Sequence, residues 1–307
     1  MIDGAGIVGS DAALTAVAEA IARDWGERGI GGHFLGCDLN SGRQCGFGAD
    51  EPVALASVAK VPIALTALEL IDRGELDPGQ TIEIDPAKTS PGPTGSALFG
   101  FPARIAVADL IALALTVSDN AAIDLVLDVV GITRVAAALA GWGCDGIQIR
   151  HPMRTMFDSA TRAGGGSFEL ALELAIAGPP GSASAIEALD PQRGNVASAR
   201  GLVELLAAVW ESRIATPAAC AELRRLMSLQ LFVQRIAADL RSDAIRVASK
   251  TGTFLNLRHD IAVVEANAGV RVAIAALTKA GRRATHAPDV DLAIGSAARS
   301  AFEALRG

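Results

Sequence analysis

The order of pattern types along the chain predicts an α+β fold. An antiparallel sheet is assembled from both chain ends and flanked by helices, with an all-helical domain inserted between them. Two observations carry this expectation. Strand-like runs lie at residues 33–48 and again late in the chain at 245–249, 260–265 and 270–278, while helix-period patterns fill most of the interval between them. Strands and helices therefore do not alternate as βαβ units require. The expected partition is 1–53 with 201–307 for the sheet-bearing domain and 54–200 for the helical domain, with an atypical loop insertion around 145–196.

Each element has a local reason. Ser10 or Asp11 caps a first helix whose Leu14, Val17, Ala18, Ile21 and Trp25 share one face, and Gly29 ends it. A hairpin follows, turning at Asn40-Ser41-Gly42 between residues 33–39 and 44–48. A helix spans about 57–73 and stops at Gly74. Residues 86–103, rich in proline and glycine, read as a loop. Residues 107–117 are apolar on nearly every side and read as a buried helix. Helices over about 120–130 and 133–140 come next. Residues 145–166 read as irregular, ending in Gly164-Gly165-Gly166. Ser167 caps a short helix that Gly178-Pro179-Pro180 terminates, and a loose stretch reaches about Val196. Further helices cover 198–212, a segment opened by Thr216-Pro217, and about 288–305.

Composition narrows the functional classes. The 307 residues are half hydrophobic and one-fifth charged, with 27 Lys+Arg against 34 Asp+Glu and a net charge of −7. That is a globular composition with a large core. Its mild acidity opposes broad binding to nucleic acid or an anionic membrane, which needs clustered Lys and Arg. No apolar run is long enough for a bilayer span. The N-terminus lacks the pattern of a signal peptide, so a cytoplasmic location is expected, with secretion expected only if a leader was removed. Cys37 and Cys45 flank the hairpin turn symmetrically and could face each other, as reduced thiols in a reducing compartment. His33, His151 and His286 show no metal-ligand spacing, and no cofactor motif is present. Tyrosine is absent from the whole chain, which removes one possible catalytic base.

Three short motifs carry chemistry. Ser57-Val58-Ala59-Lys60 stands at a helix start, and its i, i+3 spacing puts a hydroxyl and an amine on one face. A lysine of lowered pKa can take the serine proton, helped by the positive helix N-terminus. The plain alternative is an ordinary helix start with a solvated lysine. Ser118-Asp119-Asn120 lies between two helices. It reads either as a cap or as a site in which Ser118 relays a proton while Asn120 holds substrate and Lys60. Lys250-Thr251-Gly252 ends a strand whose edge could receive an extended substrate. There Lys250 supplies charge, Thr251 a hydroxyl and Gly252 close approach. Each motif alone is weak, but their order and settings together are specific.

On these motifs the chain resembles the class A β-lactamases from about Ile30 to Leu305. The resemblance implies a sandwich made from both chain ends plus a helical domain, with the site between them. It implies Ser57 as nucleophile, Lys60 as its partner and Ser118 as the third catalytic group. Asn120, Lys250 and Thr251 would bind substrate, and the amides of Ser57 and Thr253 would form an oxyanion hole. Arg258 would meet a substrate carboxylate through its fork, although a strand-edge arginine in water competes with that reading. His259 reads as structural. The implied substrate is a small molecule bearing a carboxylate.

The resemblance breaks at one place. The family's Glu-x-x-Leu-Asn loop, which activates the deacylating water, is missing. The matching stretch runs from Arg150 to Ser159, with Asp158 as its nearest carboxylate. Glu169 and Glu173 lie further on, with the spacing of a polar helix face, and residues 164–194 look inserted. A serine hydrolase acylated at Ser57 by a lactam, amide or ester, with weak or atypical β-lactamase activity, is expected. The alternatives are an esterase or peptidase acting on a cytoplasmic small molecule, or a non-catalytic binder that retains the pocket.

Overall fold

A computed structural model describes residues 6–178, 184–242, 244–281 and 287–307. Its centre is a six-stranded antiparallel sheet in the order β1-β3-β2-β10-β9-β8. The strands are β1 (Ile7–Gly9), β2 (Ile30–Asp38), β3 (Gln44–Phe47), β8 (Ile245–Phe254), β9 (Leu257–Ala266) and β10 (Arg271–Ala280). β2 pairs with β10 along its whole length, so the N-terminal hairpin and the late strands make one sheet, as expected.

Alternation along the strands splits the core into two layers. One face carries Phe34, Cys45, Val264 and Ile274 under α1 (Ala12–Glu27) and α10 (Pro288–Arg306). Asp11 caps α1 by accepting from the Leu14 amide at 2.9 Å. The other face carries Leu35, Cys37, Ala248, Val263 and Ala273, and it continues into the helical core. That core is built on α2 (Lys60–Asp72), nearly all of whose residues are buried. Around it lie α3 (Val107–Thr116), α4 (Asn120–Val130), α5 (Ile132–Gly141), α8 (Ala199–Trp210) and α9 (Pro217–Ser228).

Several expectations need correction. Cys37 and Cys45 do not face each other. The register pairs Gly36 with Cys45 and Cys37 with Gln44, and a one-residue offset sends the two thiols to opposite sheet faces. Residues 145–166 are not irregular throughout, because α6 (Met153–Ala163) occupies their second half. Its cap comes from a distance: Asp124 on α4 accepts from the Met153 amide at 2.6 Å and the Arg154 amide at 2.8 Å. The proline-rich loop ends earlier than expected, in a hairpin of β5 (Thr81–Ile84) and β6 (Ala103–Ala106). β4 (Val53–Ala54) pairs with β7 (Val196–Ala197) across the supposed loose stretch. Ser167 caps α7 (Phe168–Ala177) as expected, whereas the Pro179-Pro180 stop and His286 lie outside the described residues.

Candidate active site

Ser57 sits on a 3-10 turn, Ala56–Ala59, that runs directly into α2. Such a turn brings side chains at i and i+3 into line, which suits Ser57 and Lys60. The turn is pressed against β8. A Cβ placed on Gly252 would come within 3.0 Å of the Leu55 carbonyl oxygen and 3.2 Å of Val58 Cγ2. Glycine lets the strand approach the serine turn this closely, since any Cβ there would push the turn back by a few tenths of an ångström. Ala56, just before the serine, has a positive φ of 47°, a conformation that costs energy for a residue with a Cβ.

The structure brings four of the expected residues together. Lys60 Nζ donates to the Ser118 carbonyl oxygen at 2.5 Å, to Asn120 Oδ1 at 2.6 Å and to Ser118 Oγ at 3.2 Å. Lys250 Nζ donates to the same Ser118 Oγ at 2.9 Å. Ser118 holds this place through a left-handed backbone, φ 59°. Asp119 locks the motif below it, capping α4 at the Ala122 amide and accepting from the Ser96 amide and hydroxyl. Asn120 Nδ2 donates to the Pro91 carbonyl oxygen, so its Oδ1 is aimed at Lys60.

Both lysines are fully buried, and that sets their chemistry. Burial drives the Lys60 amine down to about 7, against the opposing pull of Asp119 and Asp124. Lys250 is also held well below its ordinary value, first by burial and then by the charge of Lys60. An amine near neutrality beside a serine turn can accept and return a proton at physiological pH.

Gln230, which carries no motif, grips the strand from behind. Its Oε1 accepts from the Thr251 amide at 2.9 Å and the Thr251 hydroxyl at 3.0 Å, and its Nε2 donates to Ser249 Oγ at 2.7 Å. Arg235 is the other residue that sequence reasoning missed. Buried in an irregular segment, it donates to the carbonyl oxygens of Gly252 and His259 and to Thr253 Oγ1. Thr253 itself stands exposed at the end of β8.

Arg258 does not join the cluster. Strand alternation turns it to the sheet face under α10, where its guanidinium is held by both carboxylate oxygens of Asp291. Asp291 also binds Arg235 Nε at 2.8 Å. His259 ties β9 to the segment before Ser57 through Ala54, with Nε2 2.8 Å from its carbonyl oxygen. The Thr278 amide donates to Nδ1, and burial lowers this imidazole to about 4, so it is neutral.

Among the described residues, no carboxylate hydrogen-bonds Lys60, Ser118 Oγ or Lys250. Asp158, Glu169 and Glu173 are exposed on α6 and α7. Asp124 is buried one turn beyond Asn120, but its oxygens are taken by the α6 amides and by Ser90 Oγ. Among the described residues, no group of three or more His, Cys, Asp or Glu side chains could hold a metal ion.

Comparison with known proteins now bears on this geometry. The model of a family described as the beta-lactamase enzyme family matches residues 16–305. The chain belongs to that family. Membership makes it a serine hydrolase of the β-lactamase type and implies β-lactam-type small molecules as substrates. A β-lactamase regulatory protein, BlaB, from Streptomyces cacaoi is 38% identical over 294 residues, covering 91% of this chain and 94% of that one. Among solved structures, a β-lactamase from Sphaerobacter thermophilus superposes with TM-score 0.76 at 21% identity, covering 96% and 97% of the two chains. PBP-A superposes with TM-score 0.74 at 18% identity, covering 96% of each. These structures share the fold, an antiparallel sheet flanked by helices.

Proposed function

We propose that this β-lactamase family member is acylated at Ser57 by a lactam, amide or ester bearing a carboxylate, and that it releases the acyl group slowly. The observation that carries this reading is the convergence of two buried, pKa-lowered lysines on Ser118 beside the serine turn. In this scheme Lys60 takes the Ser57 proton as the hydroxyl attacks the substrate carbonyl. Ser118, bridging Lys60 and Lys250, passes a proton to the leaving group. The amides of Ser57 and Thr253 receive the developing oxyanion. With Arg258 occupied by Asp291, the substrate carboxylate is met by the Lys250-Thr251-Thr253 edge, beside the Arg235 guanidinium that donates to Thr253 Oγ1. Slow release follows from the absence, among the described residues, of a carboxylate hydrogen-bonded to this lysine–serine cluster to activate water, which leaves the activity on penicillins weak and atypical.

A fluorescent penicillin and a chromogenic cephalosporin test the reading. The expected result is covalent labelling that Ser57→Ala abolishes, together with a cephalosporin burst that stalls. Steady, rapid turnover would contradict the slow release. A second reading, a non-catalytic binder of β-lactam-like ligands, is supported by the Streptomyces cacaoi relative, which is a β-lactamase regulatory protein. It predicts saturable binding with no adduct.

We also read the cytoplasm as the place of action. Four free thiols suit a reducing compartment, and no helix among the described residues is long and apolar enough to cross a membrane. Fractionation of cells making the untagged chain tests this, and recovery from the culture medium would contradict it.

A further inference from the structure

We propose that a cleft between the end of α8, the last turns of α9 and the far end of the sheet binds a small phosphate-bearing anion. The cleft is a cavity of about 420 Å³, within the range of small-molecule sites. Its charged lining is Arg224, Arg225, Arg246 and Arg271, with Glu265 as its carboxylate, and Trp210 forms part of the wall.

The charge balance points to an anion. Glu265 lies opposite both Arg246 and Arg271 in the strand register, so one carboxylate faces two guanidinium groups. Glu222 neutralises Arg225 through two contacts of 2.7 Å. Arg224 is fixed by donating to the carbonyl oxygens of Val209 and Trp210 at the end of α8, which leaves its charge in the cleft unmatched. Arg246 makes no ion pair among the described residues. A surplus of two positive charges therefore converges on one concave wall of a chain whose net charge is −7. Planar guanidinium forks match phosphate oxygens in pairs.

A second observation is independent of charge. Trp210, only 5% exposed, closes one side of the cleft with a buried aromatic.

The cleft is separate from the serine site. Arg246 and Lys250 share a face of β8 four residues apart, which is about 13 Å along a strand. Exposed arginines at a sheet end would ordinarily only keep the surface soluble. Here they line a cavity with a buried aromatic, which solubility does not require.

Isothermal titration at fixed ionic strength tests the proposal, with sodium pyrophosphate, ADP and adenosine as probes. Saturable binding of pyrophosphate or ADP with Kd below about 1 mM is expected. Binding should weaken at least tenfold in Arg246→Ala/Arg271→Ala, with an unchanged melting temperature. Equal affinity for pyrophosphate and ADP identifies a free phosphate anion as occupant, and tighter ADP binding identifies a nucleotide. Absence of saturable binding by both anions, undiminished binding in the double variant, or adenosine binding as tightly as ADP would overturn the proposal. None of these readouts depends on acylation of Ser57.

Discussion

Replacing Lys60 by alanine removes the amine assigned to take the serine proton, and the expected loss follows from its environment. An ordinary lysine of pKa 10.5 is unprotonated in only about one molecule in 3,000 at pH 7. Burial brings Lys60 to about 7, where about half the molecules carry a free amine, a gain on the order of 10³ in the reactive form. General-base assistance is worth about 10²–10⁴ in rate. Lys60→Ala should therefore slow penicillin labelling by about 10²–10⁴-fold. It should not unfold the protein, because it removes a group that burial penalises. Time courses of fluorescent penicillin labelling across pH measure both quantities. The wild-type rate should climb about tenfold per pH unit below the Lys60 pKa and level off above it. Labelling by Lys60→Ala at the wild-type rate, or a wild-type profile that keeps rising through pH 9 or so, would refute this role for the buried amine.

Other perturbations follow from the same geometry. Gly252→Ala puts a methyl group 3.0 Å from the Leu55 carbonyl oxygen. It should cost about 1–3 kcal/mol in urea unfolding and slow labelling by pushing the serine turn off β8; unchanged values for both would refute the close fit. Gln230→Leu leaves the Thr251 amide and hydroxyl without their shared acceptor. It should destabilise by about 1–3 kcal/mol per orphaned group while weakening penicillin binding. Asp291→Ala strands Arg235 and Arg258 as buried charges, and a loss of about 3–5 kcal/mol is expected. Burial raises Asp260 to about 7, so the folded state holds a proton that the unfolded chain releases from about pH 3.8 upward. Its contribution to stability therefore falls as pH rises from 3.8 to 7 and is flat beyond. Asp260→Asn should remove that slope from stability measured across the window, and an unaltered slope would show that another group sets it.

The sheet and most helices were legible because local signals agree with tertiary needs. Asp11, Ser167, Ser198 and Thr216 each cap the helix that follows, and alternation marks the late strands. The misses share a cause, which is partners remote in sequence. α6 has no capping side chain of its own, and its amides are satisfied by Asp124 from another helix. The β5–β6 hairpin is closed by pairing across a long proline-rich connection. The three motifs marked residues of which the structure brings Lys60, Ser118, Asn120 and Lys250 together, since each motif fixes spacing within a few residues. Gln230 and Arg235 act through contacts to a strand about twenty residues away and left no local pattern. Arg258 was misjudged because its sheet face depends on strand parity and on Asp291, which only the packed α10 supplies.

The central claim is that Ser57 forms a long-lived acyl-enzyme. Peptide mapping by mass spectrometry after brief exposure to penicillin G, followed by a chase without drug, tests it most directly. The account predicts an adduct confined to the peptide bearing Ser57, still present late in the chase and absent from Ser57→Ala. An unmodified Ser57 peptide at saturating drug, or an adduct carried on another residue, would contradict it.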